Sequence, residues 1–129
     1  MKILALILAL SLSSVAYGDK KLCVVEHTMF CFKGDCKPTS PEGDATYIDT
    51  ERNLYALGNL KTEEFDKFRL DGVEVTRNYT IYSTKGLGAV LKIANSDLGL
   101  YPVKENEFIE FRSSNLLTFI SSGTCQSMD

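Results

Sequence analysis

The chain has 129 residues, a net charge of −3 and 44% hydrophobic residues, which fits one small domain with a core of its own. The acidic balance argues against a nonspecific nucleic-acid binder and against a protein that docks on anionic membranes, because both need a positive field. The four cysteines form an even set, as expected of a small exported domain that is stapled by disulfides.

The N-terminus has the pattern of a secretory signal. Lys2 precedes an uninterrupted apolar run at residues 3–10, and a small-residue cleavage pattern ends at Gly18. The run is shorter than the roughly 20 residues that span a bilayer, so it predicts a cleaved leader and not an anchor. We therefore expect a signal peptide at 1–18 and a single secreted or periplasmic domain at 19–129. That domain carries 13 basic and 17 acidic side chains, a net charge of −4, and we expect no membrane association after cleavage.

The segment between Cys23 and Cys31 is rich in strand-forming residues, which limits how the cysteines can pair. An extended segment of this length separates the two cysteines by roughly 26 Å, at about 3.3 Å per residue. A disulfide spans only about 4.4–6.8 Å between Cα atoms. Cys31 and Cys36, in contrast, flank a Gly-Asp turn signal. The sequence therefore favours Cys31–Cys36 as a local clasp and Cys23–Cys125 as a tie between the chain ends.

His27 is the single histidine of the chain, and it lies within this segment. Cys23, His27 and Cys31 would share one face of a helix, as in a zinc site. The β-branched residues between them disfavour that helix, and an oxidising compartment favours disulfides. We therefore predict no metal site, and we interpret His27 as a strand residue and not as a catalytic base.

Short strand patterns follow the cysteine loop. The segment at 46–57 has two strand-like halves around a polar turn and predicts a hairpin. The segment at 61–70 is ambiguous, because Phe65 and Phe68 fit a short helix, whereas Phe68 and Leu70 fit a strand.

The clearest alternation predicts a half-buried strand whose apolar face carries Val73, Val75, Tyr79 and Ile81. The opposite, polar face includes Tyr82. It also carries a formal glycosylation sequon at Asn78, which we interpret as accidental because the short Met-Lys start is typical of bacterial signals.

Further strands are predicted at 89–93 and 98–103, where Pro102 suggests an edge position or a bulge. Another hairpin is predicted at 108–120. The whole pattern indicates an all-β domain of seven to eight antiparallel strands, with at most one short helix, in a meander closed into a small barrel or sandwich.

The sequence shows no set of residues with the spacing of a catalytic site. Gly86-Leu87-Gly88 lacks the strand–loop–helix setting of a phosphate loop and is interpreted as a hairpin turn. Acidic residues are numerous, but no spacing selects a pair for glycoside hydrolysis. We therefore predict a monomeric, non-enzymatic domain that needs no cofactor and binds a protein or a small ligand.

An interaction site is predicted at the turn that follows the long strand. Lys85 is a single cation on a glycine-rich turn, with Thr84 before it and Tyr82 close by. An aromatic side chain beside a projecting lysine on a rigid hairpin can form an interaction tip. The alternative is an edge tyrosine that covers a gap beside an ordinary exposed lysine.

Residues 82–91 read Tyr-Ser-Thr-Lys-Gly-Leu-Gly-Ala-Val-Leu. This segment resembles one in the periplasmic lysozyme inhibitors of the membrane-bound, C-type-lysozyme class, where an aromatic, a Ser or Thr and Lys-Gly precede a small-residue strand. Those proteins are small secreted β-barrels that insert this lysine and an upstream serine into the lysozyme cleft. The resemblance implies that Lys85 is the inserted cation.

The resemblance covers about 20 residues of the mature chain and has three departures. Asp71-Gly72 stands at the spacing of the family's Ser-Gly, so the glycine matches and the serine does not. Glu74-Val75 replaces the usual Arg-Tyr, and the last cysteine lies far beyond the position where the family closes its disulfide.

Four hypotheses follow from these patterns, and the fourth is an enzyme. The first is a domain that binds another molecule through loops or a barrel mouth. The second is an inhibitor of a hydrolase such as C-type lysozyme, acting through Lys85. The third is a carrier of a small apolar ligand inside the barrel.

Overall fold

The computed structural model describes residues 19–96 and 103–128, and these residues form ten β-strands and no helix. The all-β prediction is confirmed, but the expected number of strands, seven to eight, is wrong. The additional strands come from the cysteine loop, which contains β2, and from a turn that divides the long predicted strand into β6 and β7. The strands are β1 (Lys20–Phe32), β2 (Asp35–Thr39), β3 (Asp44–Asp49), β4 (Leu54–Asn59), β5 (Glu64–Arg69), β6 (Gly72–Val75), β7 (Tyr79–Thr84), β8 (Ala89–Ala94), β9 (Glu107–Ser114) and β10 (Leu117–Ser127).

All ten strands belong to one antiparallel sheet that curls into a half-barrel. The order is β5-β4-β3-β1-β10-β9-β8-β7-β6, and β2 pairs with the second half of β1. The two longest strands, β1 and β10, pair from Lys21 opposite Ser127 to Phe32 opposite Leu117. A β-bulge between Val25 and His27 interrupts this ladder; such bulges bend a strand and increase its twist. β1 and β10 therefore form the long central strand pair of the half-barrel.

The predicted hairpins at 46–57 and 108–120 are confirmed as β3–β4 and β9–β10. The ambiguous segment at 61–70 is a strand, β5, which pairs with β4 over its whole length. The predicted signal peptide at 1–18 and most of the predicted strand at 98–103, Pro102 included, lie outside the described residues. Within those described residues, no helix is long and apolar enough to cross a bilayer.

The predicted long strand is divided by a hairpin turn at Thr76. Thr76 donates its backbone N–H to the Tyr79 carbonyl over 2.8 Å, and its Oγ1 donates to the same carbonyl over 2.9 Å. The Oγ1 also accepts the Tyr79 N–H at 3.1 Å. A threonine hydroxyl that satisfies both backbone groups stabilises such a turn. The chain reverses here, and Tyr82 and Thr84 point into the core instead of outward.

Both predicted disulfides are present. Cys23 and Cys125 stand directly opposite each other on β1 and β10, and they are 0% and 3% exposed. Cys31 and Cys36 are opposite each other on β1 and β2. The first disulfide ties the two ends of the domain together inside the core, and the second closes a hairpin at the surface.

The core fills the concave side of the half-barrel. Its largest apolar members are fully buried: Ile48, Tyr55, Tyr82 and Leu91. Phe68 of β5 and Leu87 of the β7–β8 turn pack against this cluster. A Cβ atom added at Gly86 would lie 3.4 Å from the Phe68 ring, so Phe68 of β5 lies beside the predicted binding turn.

Candidate functional site

Lys85 lies in the tight turn between β7 and β8, and Asp71 fixes this turn. The Lys85 backbone N–H donates to Asp71 Oδ2 over 2.7 Å. The Asp71 N–H donates to the Ser83 carbonyl over 2.9 Å, and the Gly88 N–H donates to the Lys85 carbonyl over 3.2 Å. Asp71 directly precedes β6, and Gly72 of β6 stands opposite Ser83 of β7, so the Asp71 carboxylate extends this strand pair and holds the lysine-bearing turn.

The Lys85 side chain is exposed at the end of this fixed turn. Arg69 is also exposed, and its Nε lies 3.9 Å from Asp71 Oδ1. Within the part of the chain that the structure describes, Lys85 takes part in none of the salt bridges. The arrangement therefore exposes a cation on a backbone that is already anchored.

Tyr82 and Thr84, the other two predicted contact residues, are 0% and 2% exposed. The expectation that Tyr82 lies on an exposed polar face is therefore wrong, because the turn at Thr76 reverses the strand. Burial, followed by the nearby charge of Asp19, raises the pKa of Tyr82 to about 12. Tyr82 and Thr84 thus belong to the core, and of the three predicted residues Lys85 is the exposed one.

Sequence reasoning missed a buried carboxylate, Glu110 of β9, which is 0% exposed. The Tyr55 hydroxyl and the Thr46 hydroxyl both donate to its Oε2, the second over 2.9 Å. Arg112 Nε lies 3.4 Å from Oε1. Burial is the main cause that raises the Glu110 pKa, and the two hydrogen bonds and the Arg112 charge oppose it. Phe108, Glu110 and Arg112 are alternate residues of one strand. This spacing was the sequence signal that Glu110 and Arg112 share the inward face with Phe108.

Glu110, Thr46, Tyr55 and Arg112 form the Glu110 cluster. These neighbours leave Glu110 without exposure to solvent. A cavity of about 320 Å³ lies beside it, lined by Arg112, Asp44, Glu64 and Asp66 among others, but Glu110 itself does not line this cavity. Side chains thus fill the centre of the half-barrel, and a carboxylate lies among them. A larger cavity of about 460 Å³ is lined mostly by apolar side chains, including Tyr79, Val103 and Phe108, so the hypothesis of an apolar ligand carrier stays a prediction.

All four cysteines are in disulfides, so the zinc site considered for Cys23, His27 and Cys31 is not formed. His27 is exposed on β1, directly after the bulge. Among the described residues, no group of three or more His, Cys, Asp or Glu side chains is placed to hold a metal ion.

The outer face of the sheet carries an apolar row that crosses five neighbouring strands. Its members are directly paired from strand to strand: Pro38, Met29, Ile120, Phe111 and Val90. Met29, Phe111 and Val90 are 41%, 45% and 41% exposed. Part of the aromatic and apolar content of the chain therefore lies on the surface, where contiguous apolar residues are typical of interaction faces.

The functional interpretation is based on the residues of this chain and on their geometry. The structure brings Asp71-Gly72 next to the Lys85 turn. Comparisons of the whole chain with models of protein families, with curated proteins and with solved structures find no match.

Proposed function

We propose that this chain is an exported, non-enzymatic β-domain that binds another protein through the Lys85 turn. The observation that supports this proposal is the hydrogen bond of 2.7 Å from the Lys85 N–H to Asp71, which orders the turn while the lysine side chain stays exposed. A site that is ordered before binding loses less conformational entropy when the partner docks. The two disulfides are consistent with an oxidising compartment outside the cytosol.

The partner that fits this site has an acidic cleft. Lys85 and Arg69 are exposed cations on either side of Asp71, and Asp71 already serves the turn and the arginine. Glycoside hydrolases carry a pair of carboxylates in their clefts, which a lysine complements in charge. Together with the resemblance of residues 82–91, this complementarity supports the narrower proposal of an inhibitor of a hydrolase such as C-type lysozyme.

Lysozyme activity tests the narrower proposal. We expect a molar excess of the mature protein to slow cell-wall lysis by C-type lysozyme, and Lys85→Ala to weaken inhibition by at least about 10-fold, as for an interface hot spot. Lys104→Ala is the matched control, because Lys104 is an exposed lysine near Asn106, which bonds Ala94 at the end of β8 opposite the turn, and it should inhibit as the wild type does. Unchanged lysis with the wild type, or full inhibition by Lys85→Ala, would contradict the proposal.

The anchoring role of Asp71 predicts a change in the turn itself. Asp71→Ala removes the acceptor of the Lys85 N–H, so we expect the exchange rate of the Lys85 amide to rise by at least about 10-fold and stability to fall by about 1 kcal/mol. Asp71→Asn keeps an acceptor oxygen and should stay close to the wild type. Hydrogen exchange followed by NMR measures both. A protected Lys85 amide in Asp71→Ala would show that Asp71 does not hold the turn.

A further inference from the structure

Strand β2 (Asp35–Thr39) is attached to the domain by few interactions. All five of its residues are exposed, so it contributes no buried side chain to the core. In the described part of the chain it pairs with β1 alone, where it covers the edge from Thr28 to Phe32. Pro38 has no N–H to donate to this ladder. The position of β2 therefore depends on a short edge ladder and on the Cys31–Cys36 disulfide.

The two disulfides differ in their access to solvent. Cys23 and Cys125 are 0% and 3% exposed in the core, whereas Cys36 is exposed and Cys31 is half-buried. Thiol–disulfide exchange begins with the attack of a thiolate on one of the two sulfurs, so its rate depends on access to that sulfur. A reductant in solution reaches Cys36 without any opening of the fold, and it reaches Cys23–Cys125 only after the core opens.

We infer that Cys31–Cys36 is a redox-sensitive clasp that external dithiols open selectively, and that the clasp decides whether β2 covers the β1 edge. A thiolate of the dithiol attacks the Cys36 sulfur, and the Cys31 sulfur leaves as a thiolate that takes up a proton. The second thiol of the dithiol then displaces the Cys36 sulfur. The products are two protein thiols and one oxidised dithiol, so atoms and electrons balance. This inference does not depend on the role of Lys85.

Opening the clasp changes the surface of the domain. Without the covalent tie, β2 is held only by its ladder, and its release leaves the β1 edge from Thr28 to Phe32 uncovered on that side. Met29 and Phe32 on this edge are already 41% and 45% exposed. An uncovered strand edge with apolar side chains is a template for pairing with another chain. The reduced form therefore differs from the oxidised form in the exposure of one strand edge, Thr28 to Phe32.

Limited reduction tests the selectivity. The mature oxidised protein is treated with increasing dithiothreitol, alkylated and mapped by mass spectrometry. We expect Cys31 and Cys36 to be alkylated at a dithiothreitol concentration at least about 10-fold below that for Cys23 and Cys125. Simultaneous opening of the two disulfides, or earlier opening of Cys23–Cys125, would overturn the inference.

Hydrogen exchange on the same partly reduced protein tests the consequence. We expect faster exchange of the amides of β2 and of the paired segment at 28–32, with β3 and β4 unchanged. The variant Cys31→Ala/Cys36→Ala should reproduce this pattern without reductant. If that variant does not fold, the partly reduced wild type gives the answer alone. Unchanged exchange in β2 after reduction would show that the disulfide does not control this strand.

Discussion

Replacing Cys23 and Cys125 together by alanine is expected to lower the free energy of unfolding by about 4–5 kcal/mol. The two residues are 102 positions apart, so their bond closes a loop that includes nearly the whole domain. In the chain-entropy model, a disulfide of this span removes more freedom from the unfolded chain than one that closes a short loop. Both cysteines are also buried in the core between β1 and β10, where alanine fills less space. Equilibrium unfolding in guanidinium chloride measures the loss.

The matched control for this prediction is Cys31→Ala/Cys36→Ala. These residues are only 5 positions apart and lie at the surface, so the same model gives a loss of about 2 kcal/mol. The buried pair should therefore lower the unfolding midpoint clearly further than the surface pair. Equal losses of unfolding free energy in the two double variants would contradict the expected difference between the Cys23–Cys125 and Cys31–Cys36 disulfides.

Replacing Glu110 by alanine is expected to cost about 3–5 kcal/mol, because it leaves buried partners behind. The Arg112 side chain is 21% exposed and loses the carboxylate beside its Nε. The Tyr55 and Thr46 hydroxyls lose their acceptor in a site without access to solvent. Urea unfolding of the variant measures the change in free energy.

Glu110→Gln is the control for this cluster. Its amide oxygen still accepts hydrogen bonds from Tyr55 and Thr46, but it removes the charge that faces Arg112. We expect a loss of about 1–3 kcal/mol, smaller than that of the alanine variant. If Glu110→Ala unfolds at the same denaturant concentration as the wild type, the cluster does not support the fold.

The raised pKa of Glu110 also predicts how stability depends on pH. The folded protein holds this proton over a pH range in which the unfolded chain has released it, because the folded pKa lies above the ordinary value of 4.5. The stabilising contribution of this group is therefore complete below the unfolded pKa and is lost as the pH rises through the folded pKa. We expect the wild type to lose stability relative to Glu110→Gln over that window. Parallel pH curves, or a relative gain with rising pH, would contradict this assignment.

Local patterns were sufficient for the fold class, the two disulfides and two of the hairpins. The Cys23–Cys31 pairing is excluded by the length of one extended segment, and the Cys31–Cys36 pairing follows from one turn. The hairpins at 46–57 and 108–120 each combine strand-forming residues with a polar turn between them. These signals act over a few residues, so a single sequence contains them.

The hairpin between β6 and β7 could not be found in this way. Apolar and polar residues alternate across Thr76 with no glycine or proline to mark the reversal, and the Thr76 hydroxyl provides the turn instead. Because this turn was not predicted, Tyr82 was expected on the polar face of the strand, whereas it lies in the core. Of the three residues predicted for the binding turn, Lys85 is therefore exposed, whereas Tyr82 and Thr84 are buried.

The remaining features depend on distant strands. Glu110 of β9 meets Thr46 of β3 and Tyr55 of β4, which are separated from it by 64 and 55 residues. The anchoring of the Lys85 turn by Asp71 requires the pairing of β6 with β7, and this pairing depends on the turn at Thr76 that local patterns do not mark. Alternation within one strand indicates which face a residue occupies, but it does not indicate which strands that face meets.

A comparison of three immobilised proteins tests most directly whether the Lys85 turn binds another protein. The mature wild type, Lys85→Ala and Lys104→Ala are exposed to the same extracellular or periplasmic fluid, and the retained proteins are quantified by mass spectrometry. We predict a protein that the wild type and Lys104→Ala retain and that Lys85→Ala releases. The same retained proteins on all three, or none on the wild type, would contradict the proposed function.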